Sequence, residues 1–523
     1  MIGRRGLFAL VLHAHLPLVR HPEHEQSIEE EWFFEALAEC YLPLWRVLQR
    51  LVADGVRPGI TISLSGPLRQ MLGDRWLLGR FDEWLARRLA LVEREAQRTG
   101  APAHLVTYHR DRLQHAADSL AACNRQLAPA LGALARAGAI ELATGTATHA
   151  FAPLWPAPVE LWRRQVRDAL PPFRAAIGER DDARAPGMWL AECGFVPGME
   201  RELAAAGVRW FVVDAHAFAA ADSPPPTGVY APVWCAAGGG GLAAFARDPE
   251  TAAQVWHADV GFPADAAYLD FHKDIGFELP LADLQPVIGS EQLRRPTGLR
   301  YWRITDRAGT HREWYDPAAA SARVRGHARE FVRARVEQVD RLLAAGWRGD
   351  APPLVVAPYD AELFGHWWHE GPQFVDALCR ELAAAADDPA GIAAITPGEY
   401  LTRWASHAVA TPGASSWGAG GYTGVWLNEQ TDWIVRGVQR VADELVRFND
   451  SSSRALRQAW RELMLAQASD WAFLIRMGTN AGYATARARD HLAAAERLVT
   501  MVRDGRSDVA WLKEREARWG EVR

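Results

Sequence analysis

The sequence predicts an α/β fold organised as a (β/α) barrel, and three observations carry that reading. Short apolar runs alternate with amphipathic stretches through roughly the first 400 residues. The runs are continuous rather than alternating in polarity, as strands buried on both faces of a parallel sheet require. Polar side chains capable of chemistry stand just past the C-terminal ends of several runs, the rim on which barrels assemble their sites. No GxGxxG or GxxxxGKS/T motif follows a run, so a barrel is favoured over an open nucleotide-binding sheet.

The elements follow in order. The first run, 7–12, lies in MIGRRGLFALVLHAHLPLV. Its apolar part is only about seven residues long before His13, so it reads as a buried strand and not as a signal peptide. His13 and His15 follow it. Further runs occupy 60–64, 140–143, 188–190, 210–213, 242–245, 354–357 and 392–395. His149 follows the third, Glu192 the fourth, Asp214 the fifth and Asp360 the seventh. Between runs, GMERELAAAG (198–207) reads as a helix stopped by Gly207, and GPQFVDALCRELAAA (371–385) as another helix. Residues 66–125 carry long helical patterns (WLARRLALVEREAQR, DRLQHAADSLAACNRQL) and read as a helical insertion. After a Gly/Ser-rich passage, PGASSWGAGGY (412–422), the tail reads as a helical bundle. The expected organisation is a barrel over 1–65 and 126–404, an insertion over 66–125, and a C-terminal helical domain over 405–523. CAAGGGGLAA (235–244) reads as a mobile loop.

Composition narrows the function classes. The 523 residues carry a net charge of −6 at pH 7, so no basic field exists to attract nucleic acid or anionic lipid. No run is long and apolar enough to span a membrane. Five scattered cysteines without CxxC spacing suit a reducing cytoplasm better than a disulfide framework. Lysine occurs only at 273 and 513, and the many arginines beside abundant alanine reflect genome bias. The informative excess is 23 tryptophans, whose flat apolar faces suit both a core and the C–H faces of sugar rings.

Glu192 ends the run GMWLAECGF (187–195), where an ionised carboxylate is costly unless paired, hydrogen-bonded or in use. Asp360 follows another apolar run, in VVAPYDAELFGHWWHEG. Two acids on one rim, among Trp and His, suit glycosidic bond cleavage: one attacks the anomeric carbon and the other protonates the leaving oxygen. Asp214 is the rival for the second role. HAH (13–15) after a first strand also raises a metal-dependent amidohydrolase. No lysine stands at a strand end and no Cys or carboxylate partner has recognisable spacing, so neutral imidazoles donating to sugar hydroxyls are preferred. No GxSxG elbow supports a Ser-His-Asp triad. A non-catalytic glucan-binding protein is a further alternative.

HAHLPLVRHPE (13–23), ATHAF (147–151), MWLAECGF (188–195), APYDAELFGHWW (357–368) and GYTGVWLNEQTDW (421–433) occur in that order. Together they resemble the five motif regions of glycoside hydrolase family 57. EEWFFEALAECYLPL (30–44), FARDPETAAQVW (245–256) and ASDWAFLI (468–475) extend the resemblance over essentially the whole chain. Within the family the sequence is most similar to 1,4-alpha-glucan branching enzymes. The resemblance implies an incomplete seven-stranded barrel, Glu192 as nucleophile and Asp360 as general acid/base. It implies that His13, His15 and His149 hold the sugar nearest the scissile bond. It also puts Trp32, Trp417 and Trp426 at glucan-stacking positions, with Phe277 where Trp is common. The implied reaction is retaining transfer of an alpha-1,4 chain to a glucose 6-hydroxyl, with hydrolysis as a side activity and no metal or organic cofactor. The implied partner is an alpha-glucan such as amylose or a glycogen-like polysaccharide, acted on by a monomer or small homo-oligomer. Alpha-amylase and 4-alpha-glucanotransferase of the same family are the alternatives. Ala191 departs from a common proline. The Gly-rich stretch 235–244 also lacks the aromatic residue that a catalytic loop over the site would carry; the nearest are Tyr230, Trp234 and Phe245.

Overall fold

The computed structural model describes residues 6–179, 186–238, 241–257, 260–288, 293–305, 311–448, 453–506 and 508–519. Its strands are β1 (Gly6–Ala14), β2 (Thr61–Leu64), β3 (Glu141–Gly145), β4 (Met188–Trp189), β5 (Trp210–Val213), β6 (Val233–Trp234), β7 (Ala243–Ala246), β8 (Leu354–Asp360) and β9 (Ile392–Ala394). Five of them form a continuous parallel ladder in the order β4-β3-β2-β1-β8. β5 and β7 pair in parallel with each other. This pair meets the ladder at two thin seams. Gly187 bridges Trp210 on one side, and Asp248 N donates to the Val356 carbonyl at 2.9 Å on the other. The result is seven parallel strands, β1-β2-β3-β4-β5-β7-β8, around one axis. Gly187 is required at its seam, because a Cβ there would lie 2.0 Å from the Trp210 ring.

Alternation along β1 sorts the interior from the exterior. Leu7, Ala9 and Val11 pack inside with Trp189, Trp210, Val212, Phe245, Leu354 and Val356. Phe8, Leu10 and Leu12 face the helical layer. The helices Gly66–Gly73, Arg75–Glu95 and Ala103–Ala122 fill the stretch expected to be an insertion. Their Leu68, Phe81, Leu91 and Leu105 belong to the same core as the outer face of β1. Helices Asp432–Leu445, Arg454–Ala466, Ser469–Met477, Ala481–Arg503 and Val509–Arg518 form the C-terminal bundle. Its core takes in Phe151 and Trp155 from the segment after β3. Nine tryptophans are among the largest side chains with under 2% exposure, so much of the tryptophan excess is core.

Every expected apolar run is a strand, with two adjustments. The run at 392–395 forms β9, which pairs only with Gly6–Phe8 at the foot of β1 and is not a stave of the barrel. β6 has only two residues and no legible pattern; it runs antiparallel to β7. That pairing corrects the expectation for the Gly-rich stretch. Cys235 N donates to the Leu242 carbonyl, so the connection lies before the start of β7, at the foot of the barrel and away from the rim. Gly239 and Gly240 lie outside the described residues. The crossover that does reach the rim is 214–232, between β5 and β6. The five cysteines are buried and unpaired. Among the described residues, no helix is long and apolar enough to cross a membrane.

One charged cluster sits at the centre of the bundle. Glu462 is fully buried and accepts a bidentate pair from Arg515 at 2.7 and 2.9 Å. His491 Nδ1 lies 2.7 Å from Oε2 and Gln458 donates to Oε1 at 2.8 Å. Burial opposes ionisation of Glu462, but the His491 and Arg515 contacts prevail and hold the carboxyl at about 2. Breaking a buried pair leaves an uncompensated charge, which costs about 3–5 kcal/mol. Glu462→Ala is therefore expected to destabilise the bundle by about that amount, read as a lowered midpoint of urea unfolding followed by tryptophan fluorescence.

Candidate active site

The rim gathers residues from distant parts of the chain. Register places His13 of β1 directly opposite Ser63 of β2 and Asp360 of β8. His13 thus continues the inward-facing row of Leu7, Ala9 and Val11, at the level where β8 ends. Trp189, the last residue of β4, stacks on the His13 ring with centroids 4.8 Å apart and planes within 14°. His15 stacks on His149 with centroids 3.4 Å apart.

Glu192 occupies a left-handed backbone conformation (φ 62°, ψ 21°), and Cys193 follows with φ 51°. His149 is left-handed too, at φ 62°. Such conformations cost about 1–3 kcal/mol each and persist only where the surroundings over-determine them. Half of the six positive-φ residues other than glycine among the described ones are at this site. The turn is held by Cys193 N to the Leu190 carbonyl, Gly194 N to the Ala191 carbonyl and Trp417 N to the Glu192 carbonyl. Gly194 cannot carry a side chain, since a Cβ would lie 2.4 Å from the Phe151 ring.

The two acids have contrasting surroundings. Glu192 Oε2 accepts from Trp417 Nε1 at 2.8 Å, and Oε1 accepts from Ser469 Oγ at 3.0 Å. Burial raises its carboxyl above the usual range, and the charge of Asp470 adds to this, while Trp417, Ser469 and His15 pull it back. Asp360 has no side-chain hydrogen-bond partner among the described residues. Burial, then the charges of Glu362 and Glu192, push its carboxyl well above the usual range against the weaker pull of Arg247. Burial raises both acids, but only Glu192 has hydrogen-bond donors that favour its ionised form.

Asp214 is not free for the second role. It is paired with Arg247 at 3.3 Å and lies 3.2 Å from His216 Nδ1. The Gly/Ser-rich passage, expected as a boundary, turns out to line the site. Ser415 bridges Phe195, the Gly421 carbonyl lies 2.9 Å from His216 Nε2, and Trp417 meets Glu192 through both backbone and ring. Trp417 is therefore a hydrogen-bond donor to the acid as well as an aromatic surface. Trp426 departs from expectation: it is 1% exposed and stacked on Phe151 at 4.1 Å, so it has no face to offer a sugar. Trp32 is half-buried against Tyr483, and Phe277 is 53% exposed.

The three histidines converge closely enough to suggest a metal, with ligand atoms within 4.8 Å of one another. Their nitrogens are engaged by one another and by neighbouring side chains. His13 Nε2 lies 2.9 Å from His149 Nε2 and its Nδ1 faces Ser63 Oγ. His15 is held between Ser65 Oγ and Asp470, each at 2.9 Å. His149 Nδ1 faces Ser469 Oγ. Burial first, then mutual repulsion, holds His13 and His149 far below the usual imidazole range, so both are neutral hydrogen-bonding groups.

Several participants were not singled out in the sequence. Ser469 and Asp470 open the helix Ser469–Met477 of the bundle; ASDWAFLI contains them, but as part of an amphipathic pattern. Glu362 follows Asp360 by two residues and accepts from His15 N at 3.0 Å and from the Tyr41 hydroxyl. Tyr41 closes a π-helical turn, Leu37–Tyr41, the kind of local rewinding that often marks functional sites. The same turn aims Glu39 at His366 Nδ1 at 2.8 Å and Cys40 Sγ at the Ala361 carbonyl. Gly365 (φ 129°) lies against it, where a Cβ would clash with the Glu39 carbonyl.

The family model for glycosyl hydrolase family 57 matches residues 9–280, and a model of the C-terminal part of 1,4-alpha-glucan branching enzymes matches residues 431–520. A 1,4-alpha-glucan branching enzyme from Thermococcus kodakarensis is 32% identical, over 98% of this chain and 77% of its own length. A Mycobacterium tuberculosis protein named a probable 1,4-alpha-glucan branching enzyme is 30% identical, over 97% of this chain and 94% of its own. The crystal structure of the alpha-amylase AmyC from Thermotoga maritima superposes with a TM-score of 0.88 at 33% identity, covering 98% of this chain and 97% of that one. The Thermococcus branching enzyme, solved with glucose, superposes with a TM-score of 0.84 at 30% identity, covering 98% and 94%. Both the ordered rim residues and the agreement along nearly the whole chain lead to one assignment: the chain belongs to glycosyl hydrolase family 57.

Proposed function

We propose that this protein is a retaining 1,4-alpha-glucan branching enzyme, with Glu192 as nucleophile and Asp360 as general acid/base. The observation that carries the reading is the unequal pair. Both oxygens of Glu192 accept hydrogen bonds, whereas Asp360 accepts no side-chain hydrogen bond among the described residues and is raised by burial and then by the charges of Glu362 and Glu192. The reach of the similarity to branching enzymes, across both the barrel and the bundle, supports the substrate class.

Protonated Asp360 donates to the departing glucan oxygen while Glu192 attacks the anomeric carbon, forming a glycosyl–enzyme ester. Asp360, now a base, takes the proton of the incoming 6-hydroxyl as that oxygen displaces Glu192, giving an alpha-1,6 link. Water in place of the hydroxyl gives hydrolysis. His13, His15 and His149, held in fixed orientations by contacts within the chain, brace the rim around Glu192. Trp417 offers its face beside Glu192.

An alpha-amylase is the second reading, favoured by the Thermotoga structure. Iodine staining of amylose together with reducing-end release separates the two. Branching is expected to shift the stain with few new reducing ends, and debranching of the product should return short linear chains. A rise in reducing ends that tracks the loss of stain would establish hydrolysis instead.

Glu192→Gln is expected to lower both transfer and hydrolysis by roughly 10⁴-fold or more, with binding of maltooligosaccharide retained by calorimetry. The pH profile tests Asp360. Its raised carboxyl must be protonated for the first step, so the alkaline limb of kcat/KM reports its ionisation in the free enzyme. Glu362→Gln removes a negative charge that favours the protonated form. The alkaline limb is therefore expected to move to lower pH in that variant, measured as initial rates on amylose.

A further inference from the structure

Glu192 stands at one end of an unbroken line of hydrogen bonds. Ser63 Oγ lies 3.3 Å from His13 Nδ1. His13 Nε2 lies 2.9 Å from His149 Nε2, His149 Nδ1 lies 2.9 Å from Ser469 Oγ, and Ser469 Oγ lies 3.0 Å from Glu192 Oε1. Five side chains from β1, β2, the segments after β3 and β4, and the first turn of a bundle helix make four contacts.

The direction of every proton in this line follows from its last member. An ionised carboxylate only accepts, so the single hydroxyl proton of Ser469 points to Glu192. Ser469 must then accept from His149, whose proton sits on Nδ1. A neutral imidazole carries one proton, so His149 Nε2 is bare and accepts from His13 Nε2–H. His13 Nδ1 is bare in turn and accepts from the Ser63 hydroxyl. Both rings are neutral because burial disfavours their charged forms. The backbone supports the same link, with Ser469 N donating to the His149 carbonyl at 3.0 Å and Ala150 bridging Ala468.

We infer that Ser469 is a positioning residue for the nucleophile, which orients the Glu192 carboxylate and, through the hydrogen-bond line, sets the tautomers of the two buried histidines, His149 and His13, behind it. A serine in the C-terminal bundle thereby decides which ring nitrogens of the barrel are donors. The inference deepens the reading of Glu192 as nucleophile and rests on it.

The charged and titratable groups around Glu192 are Asp360 from β8, Asp470 from the bundle helix, His15 from the segment after β1, the adjacent Cys193, His149 beyond Ser469, and Arg247, whose guanidinium lies 5.7 Å from the Trp417 ring. None of them is changed in Ser469→Ala, so a shift in that variant belongs to the hydroxyl. Without the Ser469 donor the ionised carboxylate loses one of its two hydrogen bonds. The acid limb of kcat/KM is expected to move to higher pH, kcat to fall by roughly ten- to hundred-fold, and KM for amylose to change little. Ser469→Thr, which keeps the hydroxyl, is expected to restore the limb and most of kcat.

Nitrogen-15 chemical shifts of labelled histidine in the resting full-length enzyme give a second readout that needs no turnover. His149 is expected as the Nδ1–H tautomer and His13 as the Nε2–H tautomer, with His149 losing that preference in Ser469→Ala. An unchanged acid limb and unchanged tautomers in Ser469→Ala would overturn the inference. Activity retained in Glu192→Gln would overturn the underlying assignment instead, whatever Ser469→Ala does.

Discussion

The placement of one carboxylate governs the rest of this molecule. Glu192 sits on a strained turn at the end of a two-residue strand, and nothing local would hold its oxygens in place. They are fixed by Trp417 and Ser469, which lie 225 and 277 residues further along the chain. The barrel therefore supplies the acid but not its orientation. That comes from the 412–422 passage folding back over Phe195 and from the bundle docking against the segment after β3. The backbone strain at Glu192, Cys193 and His149 is tolerable because these later segments clamp each turn from outside.

The electrostatic layout follows the same division. Enclosure raises both acids, so burial alone would not tell them apart. What separates them is donors: two for Glu192, none for Asp360. Glu362, tied to Tyr41 and to the backbone of His15, adds negative charge near the unbonded acid. Asp214, chemically equivalent and close by, is neutralised by Arg247 and removed from contention. Two carboxylates near one another acquire different surroundings from neighbours contributed by six separate stretches of chain.

Much of this was legible in the sequence, for reasons that also mark where legibility ended. Buried parallel strands are continuous apolar runs, and a polar residue at the end of one stands out; that is how His13, Glu192 and Asp360 were visible. Ser469 and Asp470 were not, because a polar residue at the first turn of an amphipathic helix is what any helix start looks like. The burial of Trp426 is not legible, because an indole in a glycine-rich motif has the same letter whether it faces a ligand or Phe151. The glycine run at 235–244 signals flexibility but not which end of the barrel it joins; the two-residue β6, too short to show a pattern, decides that. The π-helical turn at Leu37–Tyr41 is invisible as well, since its composition is that of an ordinary helix.

The late position of Ser469 and Asp470 has a consequence for biosynthesis. A ribosome making this protein releases all the barrel strands before it reaches the residues that complete the catalytic centre. A growing chain thus carries Glu192 without its Ser469 donor until the last helices emerge. A chain terminated before residue 469 would hold every barrel strand and still lack the donor to Glu192 Oε1, a dependence built into the order in which the parts are translated.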